Sequence, residues 1–490
     1  MTTDLRNSST MRVLAFAAAA MVLTSCAWRQ QDSGPRAMLQ AQDVQLASQI
    51  HLASDGWPQA RWWTKYHDLG LDELIDKALD GAPSVEVARA RLEQARAGVQ
   101  QAQAMTSMSI AGTAQASYRW SSSQGDVNLG LPVPGLDDIG YETGTRTGSV
   151  YSAGLIGRYS FDFWGLEASA VRASIGAENA QLAQSAAVEL ELATGIASAY
   201  FSLQATYAKL KLLQEVKDIL NEAVSANRSR KMNGLATQTM IADSEARLQQ
   251  IERTIALLDT QSQVVQETLR ALAGIPASRS LNLIAKPLPM TTPALPRDLS
   301  YDLLSRRPDL VALRWYVQAS FDQIDVAKAA FYPSFDIKAF LGINHIDLHN
   351  IASSTNRQFL LLPGLTLPIF DGGRLNANLK KSRTASDVLI TQYNQAVLNA
   401  VREVASAATQ IQGLEQQASI DARQIQNRQV LVADATARLQ RGKISRTETR
   451  QARIPLINEK IQQVETQSAY LTTDIALIKA LGGGYAMDKP

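Results

Sequence analysis

The sequence predicts a mainly α-helical chain that carries a small set of membrane-type β-strands, laid out as one plan used twice. Three observations point there. First, no proline appears from about residue 165 to 231 or from 373 to 441, and the chain is rich in Ala, Gln and Leu but poor in aromatics. Those side chains lose little freedom in a helix, so the bias favours long, thinly packed helices over one compact core. Second, four separate segments alternate apolar and polar residues with the period of a strand. Third, Gly165 and Gly234 are answered by Gly373 and Gly442 at the same separation, so two copies hold one register.

The N-terminus reads as an address. Arg6 and Arg12 precede a wholly apolar run from Val13 to Leu23, followed by Thr24, Ser25 and Cys26. A basic leader, a short apolar stretch and small residues before a cleavage point make residues 1–25 a secretory signal. The run is about half of what a spanning helix needs. No other apolar run reaches that length, so any membrane crossing falls to a β-barrel. Leu23-Thr24-Ser25-Cys26 also resembles the bacterial lipobox, which implies a diacylglycerol and an N-acyl chain on Cys26. Ala27 stands where an aspartate would resemble an inner-membrane retention signal, so the resemblance implies delivery to the outer membrane. Cys26 is the single cysteine, which excludes an internal disulfide. Residues 26–70 are expected to form a lipid-anchored segment, polar and irregular to about residue 60.

The first repeat is expected over 71–274 and the second over 305–483, with a proline-rich connector at 275–304 and a tail at 484–490. Each repeat reads helix, strand, strand, long helix, short helix. The strands are expected at about 109–120, 150–163, 334–344 and 357–370. In the first, Ile110, Gly112, Ala114, Ala116 and Tyr118 oppose Thr113, Gln115, Ser117 and Arg119. In the second, Tyr151, Leu155, Tyr159 and Phe161 oppose Ser152, Arg158 and Ser160. Such a pattern suits a strand with one face in lipid and one in water. By pattern alone, a soluble sandwich of half-buried strands fits equally. The stretch from Ser121 to Gly148, rich in Gly, Ser, Asp and Pro, suits an exposed loop.

In the long helices, Ala193, Ile196, Tyr200, Leu203, Tyr207 and Leu210 recur at three-and-four spacing, as do Val397, Val401, Val404, Ala408 and Ile411. This is a coiled-coil-like seam. At 1.5 Å per residue each long helix reaches about 100 Å, and the shorter ones, from about Leu71 to Ala104 and Ala236 to Leu272, about 50 Å. Two short helices end to end match one long one, as in the wall of a tube.

Four strands cannot close a barrel, because closed barrels begin at about eight strands. An open edge in lipid leaves backbone groups unpaired, so several chains must pool their strands. Two copies would give a barrel filled by its own side chains; three or more leave a lumen. Other chemistries find little support. With 48 basic against 46 acidic residues, net charge gives no steering towards nucleic acid. His345 and His349 have helical metal spacing but fall in a stretch that reads as a loop. No glycine-rich phosphate loop precedes a helix, and the scattered carboxylates lie on solvated helix faces, so neither a metal, another cofactor nor catalysis is expected.

Several longer motifs carry a family resemblance. Ser305-Arg306-Arg307-Pro308-Asp309-Leu310 opens the second repeat, and Phe331-Tyr332-Pro333-Ser334 leads into a strand. Leu367-Pro368-Ile369-Phe370-Asp371-Gly372-Gly373-Arg374-Leu375 follows, with Asp162-Phe163-Trp164-Gly165 as its first-repeat counterpart. With the lipobox, this layout resembles the TolC/OprM superfamily of outer-membrane efflux proteins, in particular its lipidated OprM- and NodT-like branch. Arg314-Trp315 departs from the small and acidic pair expected after the Arg-Pro-Asp motif. The resemblance implies a homotrimer with a twelve-stranded β-barrel in outer-membrane lipid and an α-helical barrel in the periplasm. It implies passive conduction of small molecules, driven by an inner-membrane transporter, often of the RND type, through a periplasmic adaptor (membrane fusion) protein. Gly234-Leu235-Ala236-Thr237 and Gly442-Lys443-Ile444-Ser445 become the tip turns set against the adaptor; as glycines that end helices they are equally explained. The resemblance places the entrance gate at Thr447 and Gln451, where relatives carry a hydrophobic and an acidic residue, with Asp243 the acid kept in the first repeat. Arg446 and Arg450 would join them by hydrogen bonds across subunits; ordinary solvated helix positions are the other reading. A type I secretion component with the same fold, or a pore-less periplasmic scaffold lipoprotein, are the alternatives; the strands speak against the scaffold.

Overall fold

The computed structural model describes residues 34, 36–40, 53–54, 57–119, 127–128, 140–141, 148–279, 281, 283–291, 294–295, 300–345 and 357–486. Cys26 and its lipobox partners Leu23, Thr24 and Ser25 lie outside these residues, as do His349 and most of the expected loop from Ser121 to Gly148.

A two-residue strand at Ala53–Ser54, paired in parallel with Ala294–Leu295, comes first. A 3₁₀ helix at Trp62–Tyr66 follows, then α1 (Leu69–Gly81), α2 (Pro83–Met105), β1 (Ser109–Arg119), β2 (Gly148–Phe161), α3 (Leu166–Met232) and α4 (Gln238–Leu272). The second half runs α5 (Ser300–Arg306), α6 (Pro308–Ala329), β3 (Ser334–His345), β4 (Arg357–Thr366), α7 (Arg374–Gln440), α8 (Arg446–Gln451) and α9 (Ile454–Ala480). Helices α3 and α7 have 67 residues each, about 100 Å at helical rise.

Several boundaries differ from expectation. The single helix expected from Leu71 to Ala104 is two, because Ala82 precedes Pro83 and takes an extended conformation (φ −70°, ψ 138°). The closing helix of the second repeat is likewise split at Ala452 and Arg453, and Pro455 sits in the first turn of α9. Strand β2 ends at Phe161 and β4 at Thr366, both short of expectation. Pro368 brings no N–H to a ladder, which suits the early end of β4. His345 is the last residue of β3 rather than part of a loop.

The described residues within 34–37, 94–178 and 315–390 form one compact unit; those within 38–93, 179–314 and 391–486 form another. In the first, β1, β2, β3 and β4 make one antiparallel sheet in that order. Its helices pack closely through small residues. A Cβ on Gly176 would lie 3.0 Å from that of Ala319, and Ser320 donates to Ser386 over 2.9 Å. Ile324 and Ala327 of α6 bury against Leu379 of α7.

In the second unit, the seam expected on α3 is real: Ala193, Ile196, Tyr200 and Leu203 are buried, as are Val397, Val404, Ala408 and Ile411 on α7. Around α3 gather Trp62, Trp63 and Tyr66, the apolar stripe of α1 (Leu71, Leu74, Ile75, Ala78), and Leu471, Ile475 and Ile478 of α9. Three polar knots fasten this core. Asp68 caps α1 by accepting from the Gly70 amide (2.9 Å), and also accepts from Tyr200 Oη (2.8 Å) and Lys286 Nζ (2.6 Å) of the connector. Burial opposes its ionisation, but the hydrogen bonds from Lys286 and Tyr200 prevail and hold its carboxyl below the usual range. Asp474, 1% exposed, accepts from Lys65 Nζ (2.9 Å) and Tyr66 Oη (2.8 Å). Arg307, also buried, forks onto Asp309 (3.0 and 2.7 Å) and reaches Glu403 (2.7 Å), so the Arg-Pro-Asp motif is a clasp joining α6 to α7.

Candidate conduit wall and helix tips

The register of the sheet assigns its described side chains to two faces. Leu155, Leu341 and Phe359 pair across β2, β3 and β4 and stand on one face. With Tyr159, Leu361 and Leu365 they stay exposed, Leu341 at 56% and Phe359 at 71%. In a sandwich this face would be covered by a second sheet. Among the described residues nothing covers it, so the sandwich reading fails and the apolar face is left for lipid. The opposite face carries Thr113, Gln115, Ser152, Arg158, Ser160, Asp336 and Lys338 in register. One row there is apolar: Ala111, Ile156, Phe340 and Leu360 are cross-strand partners. Ile156 and Phe340 are buried against each other.

Aromatic rings gather where the sheet meets the long helices. Phe161 stacks on Phe163 (5.7 Å between centroids), and Phe163 meets Phe335 edge-on (5.2 Å). Trp164 stacks on Tyr332 (4.7 Å) while its Nε1 donates to the Pro333 carbonyl (2.8 Å). Ile369 and Phe370 project into the open. Exposed amphipathic rings at one end of an apolar band suit the boundary of a membrane, where an aromatic girdle sits. The neighbouring Asp371 caps α7, accepting from the amides of Leu375 (2.7 Å) and Gly373 (2.9 Å), and these bonds hold its carboxyl below the usual range. That gives the Asp-Gly-Gly-Arg-Leu motif its physical reason: a glycine at positive φ (Gly373, 87°) turns the chain and the aspartate starts the helix.

The two tip turns are built alike. Helix α3 ends with the Leu235 amide donating to the Arg230 carbonyl (2.8 Å) and Gly234 to Lys231 (2.9 Å). Helix α7 ends with Lys443 donating to Arg438 (2.9 Å) and Gly442 to Leu439 (2.9 Å). Both are Schellman motifs, and both glycines have φ of 71°. Three residues on, Thr237 caps α4 by accepting from the Met240 amide, and Ser445 caps α8 in a reciprocal box with Glu448. Leu235, exposed, and the partly exposed Ala236 and Ile444 fill the turns between.

Of the expected gate residues, Arg446, Thr447, Arg450 and Gln451 share the short helix α8, and Asp243 lies on α4. Asp243 pairs with Arg247 one turn along its own helix (3.0 Å). Arg450 is engaged inside its own chain by Glu222 of α3. Arg446 is exposed, and Thr447 and Gln451 are partly exposed on the same short helix. Sequence reading missed Glu222, which stands so far back in the chain that no local spacing connects it to Arg450. Below this pair, Val216, Ile219 and Leu220 of α3 bury against Ile457 of α9.

No described helix is long and apolar enough to cross a membrane. The family model described as "Outer membrane efflux protein" matches residues 74–275 and 299–483. The chain belongs to the outer membrane efflux protein family. This outer membrane efflux protein is 41% identical over 467 residues to the multidrug resistance outer membrane protein MdtP of Escherichia coli (strain K12), covering 95% of this chain and 94% of that relative. Its fold is similar to that of the outer membrane protein VceC from Vibrio cholerae, with a TM-score of 0.76 at 29% identity, covering 87% of this chain and all of that one. It is also similar to the CmeC outer membrane channel of Campylobacter jejuni (TM-score 0.79, 19% identity, 94% and 95% coverage), a likeness of fold. The family is one of efflux proteins rather than of enzymes, and its setting is the outer membrane.

Proposed function

We propose that three copies of this outer membrane efflux protein pool their strands into one twelve-stranded barrel and conduct small molecules passively from the periplasm to the exterior. The observation that carries this is the open four-stranded sheet with one exposed apolar face. Both β1 and β4 are edges among the described residues, and in lipid each unpaired backbone group costs several kcal/mol, about 3 or more. Three chains of four strands remove every edge and leave a lumen.

The cargo on this reading includes drugs and other toxic compounds, in keeping with the multidrug resistance name of the relative. The two tip turns face a periplasmic adaptor, which couples the tube to an inner-membrane transporter of the RND type. Gly234 to Thr237 and Gly442 to Ser445 offer it backbone set by tight caps. The entrance is held narrow by the Arg450–Glu222 pair within each chain, with Arg446, Thr447, Gln451 and Asp243 nearby on the tip helices. Cys26 carries the lipid that fixes the N-terminus to the outer membrane, and no step of the conduction needs a catalytic group.

The test is to extract the full-length protein from outer membranes in detergent and image single particles by electron microscopy. A threefold particle with a short barrel and a helical extension of about 100 Å supports the conduit. A monomeric rod sinks it. In planar bilayers, Arg450→Gln and Glu222→Gln should each raise conductance; unchanged conductance in both would remove the pair from the gate.

A further inference from the structure

The two tip turns share one backbone but carry opposite charge. From Gly234 to Glu245 the first tip has no basic residue and two acidic ones, Asp243 and Glu245. In the matching stretch of the second, Gly442 to Arg453, Lys443, Arg446, Arg450 and Arg453 stand against Glu448 alone. In register, Lys443 answers Leu235, Arg446 answers Gln238 and Arg453 answers Glu245.

The sign in the second tip is the wrong one for its backbone. Arg446 is the first residue of α8 and Arg453 is the residue before α9, positions where the helix dipole favours acids over bases. The charges of the first tip are matched inside the chain, Asp243 by Arg247 and Glu245 by Arg228 (2.6 Å). In the second, Glu222 engages Arg450, and Glu448 accepts from the Ser445 amide (2.7 Å). Lys443, Arg446 and Arg453 are exposed, and their side chains make no hydrogen bond or ion pair among the described residues. Neither capping nor internal pairing accounts for these three cations.

Beside them the first tip presents large apolar side chains to water, Met232 at 81% exposure and Leu235 at 69%. The Arg450–Glu222 pair ties α8 to α3. Nearer the tips, the Ser445 amide, with lesser help from the charge of Arg230 on α3, holds the Glu448 carboxyl below its usual range. The adjoining tips thus make one surface, apolar on one side and basic on the other. A sheet of anionic lipid would draw no advantage from charging one tip and leaving the other apolar. A discrete protein segment would, because interfaces combine an apolar centre with charges that fix orientation.

We propose that this surface receives an acidic, amphipathic segment of a periplasmic protein, its apolar side chains covering Met232 and Leu235 and its carboxylates meeting Lys443, Arg446 and Arg453. Exposed ion pairs add little affinity one by one, but together they steer the encounter and set which end of the segment lies on which tip. The proposal rests on the reading that the tips face a periplasmic adaptor, and it adds the chemistry of the surface that meets them.

The test uses cells that make the full-length protein together with its native partners. p-Benzoylphenylalanine is placed at Leu235 and irradiated, and the adducts are mapped by mass spectrometry. A protein adduct should form, and the mapped segment should carry Asp or Glu. Lys443→Gln, Arg446→Gln and Arg453→Gln combined should lower its yield about fivefold or more, with the amount of outer-membrane oligomer unchanged. Reversal of the same three to Glu should abolish the adduct, and lysine in place of the mapped carboxylates should restore it. Arg438→Gln should leave the yield as it was, because Asp434 already matches that charge (2.7 Å). Undiminished yield in the combined Gln variant, or a mapped segment without carboxylates, overturns the acidic partner and leaves the docking reading standing. If only phospholipid is labelled, or nothing is, the tips dock no protein and both readings fall.

Discussion

Placing a charge on the exposed face of the sheet should break assembly, while the same charge on the other face should not. Leu341 lies on the central strand β3, in register with Leu155 and Phe359, and is 56% exposed in its own chain. Giving that exposed share to lipid is worth about half of a full leucine burial, or about 1 to 2 kcal/mol. An arginine near the bilayer midplane costs a further 2 to 4 kcal/mol or so. Leu341→Arg should therefore destabilise the membrane-inserted form by about 3 to 6 kcal/mol per chain. Gln115→Arg, on the opposite and solvated face, should cost about 0 to 1 kcal/mol because lumen-facing positions tolerate charge. The assay is the amount of folded oligomer in purified outer membranes, followed by its urea midpoint after extraction. Equal loss in both variants would mean that the sheet has no lipid face. Loss in Gln115→Arg alone would mean that the two faces have been assigned the wrong way round.

The remaining predictions concern the helical part. Asp474→Ala should cost about 3 kcal/mol, the low end for breaking a buried pair because Lys65 reaches solvent; a thermal scan of the detergent-solubilised protein reads it, and limited proteolysis should release the segment around Trp62 first. Asp68, held below its ordinary value of 3.8, contributes stability that is present above that pH and lost as pH falls through its lower folded value. The wild type should thus lose its melting-temperature advantage over Asp68→Asn progressively as pH falls below the ordinary carboxyl value of 3.8; an advantage that grows on acidification would contradict this. Gly442→Val should destabilise the tip by about 1 to 2 kcal/mol, the cost of a left-handed backbone with a Cβ, seen as faster amide exchange at Arg441 to Ser445. Ser445→Ala should cost about 1 kcal/mol by the loss of a cap, and a change to Thr should recover most of it.

Much of this architecture could be read from the chain. Alternation placed β1 and β3 to within a residue or so, because one face of each strand is apolar and the other polar with few exceptions. The absence of proline marked α3 and α7, and the matched glycines marked their ends. What escaped reading has physical reasons. Trp62, Trp63 and Tyr66 bury in the core of the helical unit, yet they lie in a five-residue 3₁₀ helix too short for any periodicity to declare itself. The break at Pro83 was written in the sequence, but the apolar rhythm continues on both sides of it. The end of β4 was masked by Leu367 and Ile369, which keep the strand rhythm after the pairing has stopped; Ile369 stays exposed. The partners of Arg450 and Asp474 lie in distant segments, and only the packing of α3 against α9 and of the N-terminal turn against α9 brings them near.

The likeness of the two tip turns has a consequence for counting. A ligand that reads only the backbone of a Schellman turn and the capped helix start behind it meets two equivalent addresses on every chain. A ligand that reads the carboxylate of Glu448 meets one, because the first turn has Met240 at that position. The ratio in which a docking protein saturates this chain, two to one or one to one, therefore reports whether it recognises shape or charge.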